Sequence, residues 1–367
     1  MVSLSTIRAS NALISSTLPA GLVALFVGAT SGIGEATLKK FAQHTTGPRA
    51  YFIGRSQEAA DRIAAECRAL NPAGQYIFRK ADASLIRVVD EICGEIKAKE
   101  QTINILFLSC GVSSMDRSKT GEDIHLLAAL NYYARIRFIT NLLPLLRCAP
   151  DLRRVVSVGG GGHEGELDTT DFSALRVPLD KLRGHLTSLV TLGLESVAQA
   201  APDVSFVHDY PGTVRTKLID YLPEEVLRTL EFVPIDESGE RQLYIATSAM
   251  FPAARDVKGV PLGDGVETAV GTSGVVGSGI YSVGADCESV SPTTLELLRV
   301  MRGNGLVEDV HRHTDGEFNR VTMYKEPSSS LMESKPNPET CESRVTPEYR
   351  FTSEFQPPLE SATSAIL

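Results

Sequence analysis

The chain has 367 residues, 43% of them hydrophobic and 22% charged, with a formal net charge of −9. That length can bury a large core in one sizeable α/β domain with extensions, and an acidic balance without a Lys/Arg cluster excludes an electrostatic grip on nucleic acid or anionic lipid. Six scattered cysteines, Cys67, Cys93, Cys110, Cys148, Cys287 and Cys341, form no C-x-x-C pair. They suit free thiols in a reducing, cytoplasmic setting better than a disulfide framework or a zinc site, and no metal is expected.

Residues 1–20 hold one basic residue, Arg8, and no apolar run of signal-peptide length, so a local helical arm is expected ahead of the first strand. No run approaches the roughly 18–20 apolar residues of a membrane span. Strands are then expected near Val23–Val27, Tyr51–Ile53, Tyr76–Phe78, Ile103–Leu108, Val155–Val158, Val204–His208 and Ile280–Val283, with helical stretches between. This alternation predicts a parallel α/β sheet of about seven strands with helices on both faces. After the first strand, Ile33, Thr37, Leu38 and Phe41 recur about one turn apart and predict one sheet-facing stripe, leaving Lys39 and Lys40 toward solvent.

A single domain over residues 21–325 is expected, with a substrate-covering segment at about 217–279, where a helix near Glu224–Leu230 and a glycine-rich stretch interrupt the alternation. Beyond it, residues 326–367 are rich in Ser, Pro and Glu and poor in large aliphatics. Such a segment cannot offset the entropy of ordering its backbone, so a disordered tail is expected.

The chemistry is concentrated in Gly28-Ala-Thr30-Ser31-Gly32-Ile33-Gly34, which follows the first strand and opens a helix. Glycines there permit a tight turn and let backbone N–H groups reach a pyrophosphate at the positive helix end. At the end of the second strand stand Arg55 and Ser56, with no acid. A guanidinium can neutralise a ribose 2′-phosphate, whereas an acid would bond the free hydroxyls, so NADP(H) is the expected cofactor.

The G-x-x-x-G-x-G spacing resembles that of the short-chain dehydrogenase/reductase family, whose fold is a doubly wound Rossmann-like sheet. The resemblance spans Val23 to about Leu218 and implies further roles. Asp82 resembles the acidic residue that contacts adenine, Ser109-Cys110-Gly111 stands for an Asn-Asn-Ala-Gly segment, and Pro211-Gly212-Thr-Val214-Arg-Thr216 resembles the nicotinamide-side segment. Asn131 fits the family's water-holding asparagine. The catalytic serine falls at Gly160, and the window for the Y-x-x-x-K tyrosine holds Val177 and Pro178, with Lys181 at the lysine's place. Both reacting hydroxyls are therefore missing from their usual positions. Candidate replacements are His163 in the glycine loop, His185 one turn beyond Lys181, Tyr210 before the proline, and one of Tyr132 and Tyr133.

The run of Leu-Asn-Tyr-Tyr-Ala-Arg135, Ser-Val-Gly-Gly-Gly-Gly-His-Glu-Gly165 and Phe-Val-His-Asp-Tyr-Pro-Gly212 resembles an atypical fungal group of that family associated with secondary metabolism. The implied activity is NADP(H)-dependent reduction of a carbonyl or activated alkene of a small molecule, in a possible homo-oligomer. The alternatives are a non-redox cyclase, isomerase or dehydratase on the same fold, or an inactive cofactor-binding protein.

Overall fold

The computed structural model of the chain describes residues 2–112, 116–220, 222–256 and 258–323; the tail expected to be disordered, residues 326–367, lies outside them. Short runs of β-branched, leucine and aromatic residues form seven strands: β1 Val23–Val27, β2 Arg49–Gly54, β3 Gln75–Lys80, β4 Ile105–Leu108, β5 Arg154–Val158, β6 Ser205–Asp209 and β7 Ile280–Val283. All pair parallel in the order β3-β2-β1-β4-β5-β6-β7. Each lies where the sequence places it, with ends shifted by at most two residues. A parallel sheet is buried on both faces and so needs apolar residues at successive positions. β1 shows this directly, since Val23, Leu25 and Val27 enter one core while Ala24 and Phe26 enter the other.

The chain moves outward from central β1 to β2 and β3, then returns to pair β4 on the other side of β1. Connections leaving β1 and β4 diverge at that reversal, which opens a crevice beyond their C-terminal ends.

Two helices, α1 Leu4–Ala12 and α2 Ile14–Thr17, precede the sheet, and α3 Gly32–His44, α4 Gln57–Leu70 and α5 Ile86–Lys97 follow the first three strands. Between β4 and β5 run α6 Leu126–Ala128, a π-helical turn at Ala129–Tyr133, and α7 Ala134–Cys148. α8 Leu179–Ala200 leads to β6; α9 Glu224–Leu227 and α10 Ile235–Thr247 lead to β7; α11 Pro292–Gly303 and α12 Leu306–Met323 follow it. α1, α3, α4 and α10 cover one face of the sheet, and α5, α7, α8, α11 and α12 the other.

On α3, Leu38 and Phe41 are fully buried, each contributing about 1.5–3 kcal/mol by leaving water. Lys39 and Lys40 depart from the sequence expectation. Lys39 pairs with Glu35 at 2.6 Å and with Glu66 of α4, while Lys40 reaches Asp236 at 2.6 Å and Glu240 at 2.9 Å, both on α10. The cause is that α4 and α10 both pack along α3, so α4 brings a carboxylate to Lys39 and α10 brings two to Lys40.

α10, α11 and α12 were not anticipated. α12 buries Val307, Val310, Thr314, Phe318 and Val321, spaced three or four apart, as a helix with one covered face requires. It lies over α8 and the π turn: the Tyr132 hydroxyl meets Thr314 Oγ1 at 2.5 Å and the Tyr133 hydroxyl meets His313 Nε2 at 2.7 Å. Both tyrosines are fully buried and spent on this contact, so neither serves the crevice. Among the described residues no helix is long and apolar enough to cross a membrane.

Candidate functional site

The glycine turn is shaped by close approach rather than by flexibility. Gly28 (φ +90°) packs so tightly that a Cβ would stand 2.5 Å from the Cys110 nitrogen, and one on Gly34 would stand 2.5 Å from Ser109 Oγ. Ser109 Oγ lies 3.2 Å from the Val27 carbonyl, to which it donates, so the ends of β1 and β4 are tied at the crevice. A Cβ on Gly32 (φ +59°) would stand 3.1 Å from the Thr216 methyl, so the 211–216 segment closes onto the turn, and Gly54 makes room for the Thr30 side chain. Ser31 precedes α3 without a side-chain cap. The first N–H groups of α3 and the partial positive charge at its start are thus presented toward the crevice.

Arg55 is exposed at the end of β2, and among the described residues it forms no ion pair. Ser56 caps α4 by accepting the Ala59 N–H at 3.2 Å, which leaves its own hydroxyl proton free to donate. Asp82 is exposed, with Oδ1 accepting the Ser84 N–H at 2.9 Å. The uncapped helix start, the tight glycines and an unpaired guanidinium together fit a phosphorylated dinucleotide. Pro211, Gly212 and Val214 hold the opposite wall: Gly212 (φ +77°) packs on Val233, and the Val233 N–H donates to the Thr213 carbonyl at 2.8 Å.

Asn131 lies in the π turn, half-buried, with Oδ1 3.0 Å from where a Cβ on Gly111 would be. π turns displace a helix face locally and recur at functional sites. Arg135, one turn further on, is 3% exposed and donates to the carbonyls of Leu130 (3.2 Å), Cys110 (2.6 Å) and Val158 (2.5 Å) and to Ser157 Oγ (2.8 Å). It therefore binds the ends of β4 and β5 to the turn that carries Asn131. The Cys110 thiol is buried, its proton held by burial that pushes its pKa up, so it is not a nucleophile.

After β5 the loop Gly159–Gly165 folds back over β6 and β7. Gly160 donates its N–H to His208 Nε2 at 3.2 Å, which leaves the ring proton on Nδ1. That nitrogen meets Thr191 Oγ1 at 2.9 Å, and Thr191 donates to Glu164 Oε1 at 2.8 Å. Ser282 donates to the same oxygen at 2.6 Å while accepting the Gly162 N–H at 2.9 Å. Burial, with Arg135 and His163 nearby, holds His208 neutral, its pKa at about 3. Burial raises the Glu164 carboxyl, and its Oε2 is buried without a partner. At Gly160, the missing Cβ is replaced by a neighbour: the Thr187 hydroxyl from α8 stands in the space a side chain there would take.

Two sequence candidates are corrected. His185 is fully buried, accepting the Asp168 N–H on Nδ1 at 3.1 Å and contacting the Phe172 carbonyl through Nε2 at 3.2 Å. Both nitrogens are used by backbone, so it pins the 166–172 loop and has no reach into the crevice. Lys181 is exposed and pairs only loosely with exposed Glu166 at 3.4 Å, because the first turn of α8 points it outward. His163 and Tyr210 do meet, edge to face with ring centres 4.5 Å apart. Glu164, Thr187, Thr191, His208 and Ser282 were missed; the Gly-Gly-Gly-Gly-His-Glu run was the only signal, since the others come from separate elements.

The fold and the turn define an α/β protein of the doubly wound class. The short chain dehydrogenase family model matches residues 22–161. The chain is 36% identical to the oxidoreductase andH of Emericella variicolor, over 89% of this chain and 100% of that one. It is 30% identical to the short-chain dehydrogenase/reductase SAT2 of Stachybotrys chartarum, over 80% and 90%. Among solved structures, the Pseudomonas aeruginosa RhlG/NADP active-site complex matches with a TM-score of 0.50 at 17% identity, over 69% of this chain and 98% of that one. The chain belongs to the short-chain dehydrogenase/reductase family.

Proposed function

We propose that the protein is an NADP(H)-dependent oxidoreductase that reduces a carbonyl or activated alkene of a small molecule, within secondary metabolism. The observation that carries the cofactor reading is the pairing of the open α3 start with unpaired Arg55 at the adjacent strand end. Arg55 and the Ser56 hydroxyl would hold the 2′-phosphate, the Gly28–Gly34 turn the pyrophosphate, and Thr216 with Pro211–Val214 the nicotinamide side. Bound there, the nicotinamide supplies hydride. The RhlG complex, which contains NADP, supports this reading.

The chain's own polar groups would orient the substrate oxygen and manage its proton. Thr187 brings a hydroxyl to the space beside Gly160, Asn131 holds a polar group one strand away, and His163 with Tyr210 closes the far side. Tyr210 is the phenol nearest the nicotinamide-side segment, which it directly precedes, and is the group proposed to exchange the proton.

Calorimetric titration with NADPH, NADP and NADH tests the cofactor. Micromolar NADPH binding, weakened roughly 10- to 100-fold by Arg55→Ala as charge-assisted bonds are lost, supports the reading. No binding of any nucleotide overturns it. The absence of a phenol at Val177 and Pro178 favours a second reading, a non-redox enzyme on this fold. Product formation without nicotinamide oxidation would decide for it.

A further inference from the structure

Arg183 lies one turn into α8, with its guanidinium centred 5.0 Å from the centre of the Tyr210 ring. His163 meets the same ring at 4.5 Å and 76°. Three elements therefore converge: α8, the loop after β5, and the end of β6. The convergence is built in rather than incidental. Gly165 donates its N–H to the Gly184 carbonyl at 3.1 Å, Ser188 Oγ donates to the Gly165 carbonyl at 2.6 Å, and a Cβ on Gly184 would fall 2.9 Å from Gly165 Cα. Tyr210 is fixed from the other side by its N–H, which donates to the Val283 carbonyl at 2.9 Å.

The charge of this cluster is not balanced. Three partly buried arginines face acids, Arg137 meeting Asp90 at 2.5 Å, Arg153 meeting Asp203 at 2.9 Å and Arg302 meeting Glu195 at 2.7 Å, whereas Arg117 is held by the carbonyls of Ala174 and Val177. Among the described residues no carboxylate pairs with Arg183, whose interactions are with Tyr210. His163 adds no charge, because burial and the nearby Arg183 lower its pKa. A single positive charge, partly withdrawn from water, thus stands beside the segment that borders the nicotinamide side, in a protein whose net charge is −9. The aromatic face stabilises such a cation, and a hydrogen bond to the Tyr210 side chain helps fix the plane of its fork.

We propose that Arg183, oriented by Tyr210 and flanked by His163, is the anion-recognising wall of the substrate pocket, and that the substrate is a small-molecule carboxylate. A planar guanidinium takes a carboxylate through two parallel N–H···O bonds. The inference rests on the oxidoreductase reading for where the pocket lies, but not for what binds to Arg183.

The test uses the full chain saturated with NADPH and a panel of aryl and alicyclic oxo carboxylates, each paired with its methyl ester, measured by calorimetry. The wild-type protein should bind at least one acid about tenfold or more tightly than its ester, the scale of charge-assisted bonds. Arg183→Gln should abolish that preference while its thermal midpoint and NADPH affinity stay near wild type. If the glutamine variant does not fold, Arg183→Lys decides: the charge without the fork should lower the preference severalfold. No acid preferred over its ester, or a preference that survives Arg183→Gln, overturns the proposal. Failure of NADPH itself to bind strikes the oxidoreductase reading instead, and the acid–ester comparison is then made on the nucleotide-free protein.

Discussion

The Thr187 hydroxyl occupies the space that a side chain on Gly160 would need, so the two positions, 27 residues apart on β5's exit loop and on α8, share one site. Restoring a serine at Gly160 is therefore not neutral. Gly160→Ser should lower stability by about 1–3 kcal/mol through overpacking. Adding Thr187→Ala should recover most of that loss, and a double-mutant cycle of denaturation midpoints measures the coupling. Independent, additive effects of the two changes would contradict the shared space.

Arg135 joins β4, β5 and the π turn through bonds to four buried acceptors. Arg135→Leu leaves those acceptors unpaired in the core, and each orphan costs about 1–3 kcal/mol. The variant should lose at least about 3 kcal/mol by urea denaturation or fail to fold. A loss within about 0.5 kcal/mol, the surface range, would remove the structural role assigned to it.

His208 and its neighbour Asp209 predict opposite pH dependences. The folded pKa of His208 is lowered from 6.5 to about 3, so the unfolded chain gains a proton first on acidification. Its contribution is complete above about pH 6.5 and drains as pH falls toward 3. Burial instead raises Asp209 from 3.8 to about 7, with Gln242 donating to Oδ2 at 2.5 Å and opposing the rise. There the unfolded chain loses a proton first as pH rises, and stability falls between about pH 4 and 7. Urea midpoints between pH 4 and 8 should show a weaker acid loss in His208→Gln and a smaller decline toward neutrality in Asp209→Asn.

Lys181→Ala should change neither turnover nor stability by more than the surface range of about 0.5 kcal/mol, because the Glu166 pair is exposed on both sides. His185→Ala should destabilise the protein and leave NADPH affinity intact once folded, since both ring nitrogens serve the 166–172 loop. A strong loss of activity in Lys181→Ala at unchanged stability would return that lysine to the chemistry.

α12 covers α8 and contacts the π turn. With that face occupied by the chain itself, light scattering should give the mass of one chain. A dimeric mass would mean that a surface other than the covered face of α8 joins two chains.

The seven strands and the glycine turn between β1 and α3 were legible in the sequence because each is governed by local chemistry. Buried parallel strands need apolar runs, and a phosphate turn needs glycines at set spacing between a strand and a helix. α11 and α12 were not read from the sequence, because the stripe of Val307, Val310, Thr314 and Phe318 gains its meaning only from α8 and the π turn that it covers. The rest of the site was decided by distance in space. Thr187 fills the room left by Gly160, His208 and Thr191 link to Glu164, and Arg183 stacks on Tyr210 only once β5, β6 and α8 are packed side by side. Such pairings depend on close approach and on the burial that holds His208 neutral. Those are properties of the packed interior, and neighbours along the chain do not encode them.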